Sequence, residues 1–377
     1  MFKVQPRKIT PIIKEVLVDG IAAHSASGGG KVDIIQKAFI TSLDSTFEST
    51  ANQFISLTLG YNCVDDINNL LVLIKHDNTA YIYTDYYFSL SIRSKRDIQS
   101  GNFVFESDIA DIESVSFDMG DYSFDYQKGD KIIWLFRLNW KFGLYFDLTK
   151  DSSKENIYLE MGTAYKLLKY YDLYTFLEKD TNFDQLINDG WFPFIELIGQ
   201  EYKQLIGYYS EKDKFEFKIN KIMEHYDQER LYQLSGKWWR NKIYAGKKEI
   251  IEAGINSYIL NTRDGFINCI KNLSTELEGI MRLRYIDINQ KAPTTKEMKS
   301  FVISKAKEKF GINNSLSFPD LFQYYMDEVL FKGFDVVTGE IPASRHTFAH
   351  GVAKEYQYTK IKAFQIILSL DQLFYYL

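Results

Sequence analysis

Two hydrophobic periods divide the chain. Up to about residue 150, apolar positions fall in short stretches rich in aromatic and β-branched residues: Tyr81-Ile-Tyr-Thr-Asp-Tyr-Tyr-Phe88, Ile132-Ile-Trp-Leu-Phe-Arg-Leu138 and Trp140-Lys-Phe-Gly-Leu-Tyr-Phe-Asp-Leu148. These side chains fit a pleated surface, and Gly101-Asn102, Gly120-Asp121 and Gly129-Asp130 supply turns between them, so strands are predicted. Ala38 to Leu43 and Asp65 to Ile74 fit either a helix or a buried strand, because a short apolar run carries no readable period. From about Ile157 the spacing changes. Leu159, Ala164, Leu167, Leu168, Tyr171, Leu173 and Leu177 recur at steps of three and four, which is a helix face. Helical patterns continue through Phe194–Tyr209, Phe217–Leu234 and Glu249–Tyr258, with Gly190, Gly199 and Gly236 near the breaks. Pro293, Pro319 and Pro342 stand just ahead of apolar-periodic stretches, where a helix start tolerates proline. The expected fold is α+β: a β-rich or mixed N-terminal domain (1–155), a helical connecting region (156–244) and an all-α C-terminal domain (245–377).

Composition narrows the class. With 377 residues, 45% apolar and 25% charged, the chain is long enough for two or three cores and has the balance of a folded protein. The aromatic share of 16% comes with much Lys, Asn and Ile, as an AT-rich coding sequence also produces, so it does not by itself mark a base-stacking surface. A net charge of −5 argues against a general nucleic-acid coat protein, yet leaves room for an RNA enzyme with a local basic cleft. Cys63 and Cys269 are far apart and lack metal-like spacing, so neither a disulfide framework nor a zinc site is indicated. The start has no signal-peptide pattern, and no apolar run reaches the roughly 18 residues of a spanning helix. A cytoplasmic protein is expected, without membrane insertion.

Most short motifs dissolve on inspection. Ser27-Gly-Gly-Gly-Lys31 looks like a phosphate loop, but Ser25 stands where its first glycine belongs and Val32 follows the lysine, so an exposed turn is the better reading. Lys237-Trp-Trp-Arg240, followed by Lys242, Lys247 and Lys248, is the clearest basic-aromatic cluster. Lys237, Trp238, Trp239 and Arg240 could track RNA, with the competing reading a Trp pair that anchors a helix end. His24, His76 and His225 stand alone, and the Asp65-Asp66 and Glu276/Glu278 pairs are of a kind that 50 acidic residues produce freely. No metal or other cofactor is called for.

Ile341-Pro-Ala-Ser-Arg-His-Thr-Phe-Ala-His-Gly351 is different, because Arg345, His346 and His350 put three groups suited to phosphodiester chemistry within six residues. Arginine is a permanently charged forked donor for phosphate, and histidine gives and takes a proton near neutral pH. Cleaving RNA with its own 2′-OH needs a proton acceptor, a proton donor and a cation for the crowded phosphorane. Pro342-Ala-Ser344 makes Ser344 the predicted N-cap, with Arg345 in the first turn and a helix N-terminus adding free amides. On a continuous helix His346 and His350 lie about 40° apart, whereas Arg345 and His350 lie about 140° apart.

This segment, and about residues 245–377 around it, resembles the HEPN family of α-helical domains. The family's mark is an Arg, a polar residue, three more residues and a His, and Arg345-His346-Thr-Phe-Ala-His350 fits each position. The Ile341-Pro342 lead-in, Gly351 after the second His and the closing helix from Ile361 are also similar. Leu273-Ser-Thr-Glu-Leu-Glu278-Gly-Ile-Met-Arg282 looks like the first long helix of bacterial members, in which an acidic residue can approach the site. The resemblance implies a HEPN-like helical bundle and a metal-independent endoribonuclease acting as a homodimer, in antiphage defence or as a toxin. It further implies that Arg345 holds the scissile phosphate, that His350 is the general base or acid, and that His346 orients its neighbour or the phosphate, with Glu278 and Ser344 in support. Residues 1–155 would then sense a trigger or hold the site closed, and an antitoxin is a further possible partner. Two alternatives stay open: a non-catalytic HEPN module binding a nucleotide or partner, and an enzyme that transfers a nucleotidyl group.

Overall fold

The computed structural model describes residues 7–9, 21–22, 25–31, 34–35, 39–60, 64–77, 79–119, 123–147, 152–210, 215–311 and 314–377. His24, Cys63 and the Gly120-Asp121 turn lie outside them. An N-terminal sheet region is followed by a predominantly helical second half, so the fold is α+β. The chain forms two compact units, one of residues 1–92 and 112–171, the other of residues 93–111 and 172–377. Most of 156–244 and all of 245–377 thus belong to the second unit, joined there by 93–111.

The first unit is built on strands β1 (Arg7–Ile9), β2 (Ile21–Ala22), β3 (Ile34–Ile35), β4 (Phe39–Thr41), β5 (Asn69–Ile74), β6 (Ala80–Thr84), β7 (Ser89–Ser94), β8 (Ile109–Ser116), β9 (Lys131–Leu138) and β10 (Lys141–Asp147), the ends of β7 and β8 passing into the second unit. A six-stranded antiparallel sheet runs in the order β1-β6-β5-β9-β10-β4, with two-stranded ribbons β2-β3 and β7-β8 apart from it. Of the two ambiguous runs, Phe39–Thr41 and Asn69–Ile74 are strands, while Asp65-Asp66 end a 3-10 turn and Ala38 lies outside the described residues. All six residues of β5 are buried, so the alternation that would have marked a strand is absent. Side chains still alternate between faces. Leu70, Val72, Ile133, Leu135 and Leu144 pack with Phe47, Ala51, Phe54 and Ile55 of helix α1 (Phe47–Leu59). On the opposite parity, Trp134 stacks on Phe136, and Phe136 on Tyr165 of α2 (Lys154–Lys169). Gly143 is required where it is, since a Cβ there would lie 2.6 Å from the Phe136 ring.

The second half continues as α3 (Tyr171–Leu177), α4 (Asp180–Asn188), α5 (Gln200–Ser210), α6 (Phe215–Glu224), α7 (Gln228–Gly236), α8 (Lys242–Ala245), α9 (Lys248–Ile259), α10 (Arg263–Asn289), α11 (Thr295–Phe310), α12 (Pro319–Tyr325), α13 (Arg345–Ala349) and α14 (Lys360–Tyr376). Phe194 to Gly199, expected to begin a helix, forms a 3-10 turn instead, and Gly199 adopts φ +125°, which side-chain-bearing residues avoid. Pro319 occupies the first turn of α12, and Thr294 caps α11 with a reciprocal Glu297 contact. Helix α14 is buried nearly all round, and α9, α10 and α11 pack beside it. Most of its interior polar side chains are matched. Gln365 donates to the Asp189 carbonyl (2.9 Å), Ser369 to the Gln365 carbonyl (2.7 Å), and Gln372 accepts from the Ile195 amide (2.9 Å). No helix of the described residues is long and apolar enough to cross a membrane.

Candidate functional site

The segment 341–351 is held by short-range bonds that its own residues supply. Ser344 adopts an extended backbone and accepts from the Thr347 amide, while the Ser344 amide donates to Thr347 Oγ1 (3.1 Å). The Ser344 hydroxyl also donates to the Lys332 carbonyl (2.8 Å), Thr347 Oγ1 to the Pro342 carbonyl (2.6 Å), and Gln357 to the Ile341 carbonyl (2.7 Å). Ser344 is therefore the N-cap, as its position ahead of the run predicts. The helix it starts is only five residues long. His350 is its C-cap, and Gly351 at φ +70° turns the chain away. The partial positive charge expected at this helix start is therefore that of a helix little more than one turn long.

Arg345 reaches α10. Its Nη2 lies 2.7 Å from Glu278 Oε2, and the same carboxylate takes Arg282 Nη2 at 2.6 Å one helical turn further on. Two guanidiniums on one carboxylate leave the trio with a net positive charge, the requirement for holding a phosphate. Arg345 Nη1 also donates to His346 Nδ1 at 3.3 Å. Since a guanidinium only donates, Nδ1 is the acceptor and the neutral ring carries its proton on Nε2. Burial, with the adjacent Arg345 charge adding to it, holds the His346 proton affinity below the ordinary histidine value, so this ring is neutral at pH 7. The rings of His346 and His350 lie 6.5 Å apart at 27° to each other, and His350 is exposed. Phe331 and Phe334 pack against them at 5.9 and 5.7 Å.

The other sequence candidates lie elsewhere. Trp238 is fully buried and donates to Asp371 Oδ1 (2.7 Å), and Lys237 reaches the same carboxylate at 2.9 Å with only 11% of its side chain exposed. Both are occupied in the core of the second unit, so neither presents a face to RNA. Trp239 is half-buried, and Arg240 is exposed and paired with Asp97. Glu276 pairs with Lys247 at 3.0 Å. Asp65, Asp66, His76 and His225 are exposed surface residues. Ser27–Lys31 is an exposed turn closed by a bond from the Gly30 amide to the Ser27 carbonyl (2.8 Å). No cluster of three or more His, Cys, Asp or Glu side chains placed to hold a metal occurs among the described residues. Arg282 was passed over as a site residue in the sequence, although its i+4 spacing from Glu278 was a usable signal. The two phenylalanines had none, because nothing local relates them to the histidines. Comparisons of the chain with protein families, with curated proteins and with solved structures find no match.

Proposed function

We propose that the chain is a metal-independent endoribonuclease of HEPN type, working as a homodimer and serving as an antiphage or toxin effector. The observation that carries this reading is the convergence of Arg345 with His346 at 3.3 Å and with Glu278 at 2.7 Å, His350 being exposed beside them. Arg345 binds the scissile phosphate, and the Glu278 carboxylate sets the plane of its guanidinium. His346 keeps Arg345 in place through Nδ1 and offers its Nε2 proton to a phosphate oxygen. His350 takes the proton of the RNA 2′-OH as O2′ bonds to phosphorus. The P–O5′ bond then breaks, and O5′ gains a proton from the imidazolium of His350 in a second copy of the chain. The products are a 2′,3′-cyclic phosphate and a 5′-hydroxyl.

Residues 1–155 act in this reading as the sensor or restraint that keeps the nuclease from its host. The test is expression of the full chain, with Arg345→Ala and His350→Ala beside it, followed by sequencing of RNA ends that carry 5′-hydroxyls. Each variant should fold and lose at least about a hundredfold in cleavage, and a chelator should leave the wild type unaffected. Identical end profiles for wild type and His350→Ala would remove the nuclease reading.

A further inference from the structure

A cavity of about 520 Å3 lies within the second unit, lined by residues that include Asp184 and Asp189 near the end of α4, Tyr324 of α12, and Lys362 of α14. Lys362 sets it apart. Every other polar side chain that α14 buries has a partner, whereas the ammonium of Lys362, a residue only 8% exposed, makes no hydrogen bond or ion pair with any described residue, its backbone amide alone donating to Thr359 Oγ1 (3.0 Å). The remaining charges on the cavity wall do not serve it. Asp189 accepts from the Tyr209 hydroxyl (3.1 Å), Glu328 faces Lys332 at 3.4 Å, and Asp184 sits exposed. Burial alone acts on the Lys362 proton and brings its pKa down to about 8, so the ammonium still predominates at neutral pH. An unpaired buried cation on the wall of a cavity is costly unless an anion enters.

We infer that this cavity binds a nucleoside monophosphate unit, with Lys362 receiving the phosphate. The volume is far more than a bare phosphate fills and falls within the roughly 300–1,000 Å3 of sites for small organic ligands. Carboxylates of Asp184 and Asp189 suit the hydroxyl and amino donors of a ribose and base, and the half-exposed Tyr324 ring offers a face for stacking. An aliphatic anion would bring no donors to the remaining oxygens of those carboxylates. Pro342 and Ala343 also line the cavity, and Lys332, another lining residue, accepts the Ser344 hydroxyl through its carbonyl. An occupant therefore touches the loop that carries Arg345. The unit comes either from a free nucleotide or from an RNA chain, and the inference concerns binding alone, so it stands apart from the nuclease reading.

Calorimetric titration of the full chain tests it, with AMP and UMP as ligands, adenosine and inorganic phosphate as their halves, and an uncleavable 2′-O-methyl tetranucleotide. The monophosphates or the tetranucleotide should bind at least about tenfold tighter than adenosine, and Lys362→Met should lose at least about tenfold. Binding of AMP or UMP assigns a free nucleotide, and binding of the tetranucleotide alone assigns an RNA flank. Asn188→Trp, a substitution at an exposed residue of the cavity wall, should abolish binding without touching the core. Arg345→Ala should retain it. No binding in either arm, equal binding by Lys362→Met, or loss confined to Arg345→Ala would overturn the assignment, the last placing the nucleotide at the α13 site.

Discussion

Replacing Lys362 with methionine should stabilise the free protein. The substitution keeps an unbranched side chain of similar size and removes an ammonium without a partner from a residue that is 8% exposed. A fall in pKa from 10.5 to about 8, at about 1.4 kcal/mol per pH unit, makes the charged form roughly 3 kcal/mol less favourable in the fold than in the unfolded chain. Because the folded value is the lower one, the unfolded chain binds more protons between the two. Wild-type stability therefore rises with pH from about 8 to about 10.5, and the full penalty is present below about 8. The variant lacks that penalty. It should exceed the wild type by roughly 1–3 kcal/mol near neutral pH, the lower figure allowing for water entering the cavity, and the gap should narrow toward zero by about pH 10.5. Urea unfolding followed by tryptophan fluorescence suits the measurement, since Trp191 and Trp238 are buried in the second unit. A Lys362→Met protein less stable than wild type at neutral pH would show that the ammonium has a stabilising partner, and would defeat the reasoning.

Three further outcomes are expected. Glu278→Ala frees the Arg345 guanidinium and should lower cleavage by about tenfold, whereas Glu278→Gln, which can still accept a hydrogen bond, should recover most of it; equal losses would mean that the negative charge matters rather than the positioning. In a titration followed by NMR, the His346 ring should release its proton below the ordinary histidine range, and Arg345→Ala should move that midpoint upward by removing one of its two main causes; a downward move would contradict the contact seen at Nδ1. Lys237→Ala strands Asp371 without its buried cation, Glu196 keeping Arg230, and should cost about 3–5 kcal/mol in denaturant unfolding, while a loss under about 1 kcal/mol would show the pair to be dispensable.

The parts of this protein legible in its sequence are those governed by local spacing. The α+β class follows from the change of period near residue 157, because strand and helix faces repeat at different intervals. Ser344 was recognisable as a cap because its partner Thr347 is three residues away. Proximity of Arg345 to His346, and the one-turn separation of His350, also follow from chain order alone. Strand β5 was ambiguous because burial on both faces erases the alternation by which a strand is read.

Tertiary structure decided the rest, since each remaining feature joins residues distant in sequence. Whether Lys237 and Trp238 track RNA or anchor a helix end could not be decided locally, and Asp371 of α14 decides it by taking both into the core. Glu278 was suspected only by resemblance, and its meeting with Arg345 across α10 and α13 brings together residues that no helical spacing relates. Lys362 looks like an ordinary polar residue at a helix start, and only the packing around α14 shows that it is buried on a cavity wall with no partner for its ammonium. A sequence specifies which groups are near along the chain, whereas the partners of a buried charge are set by which helices the hydrophobic core draws together.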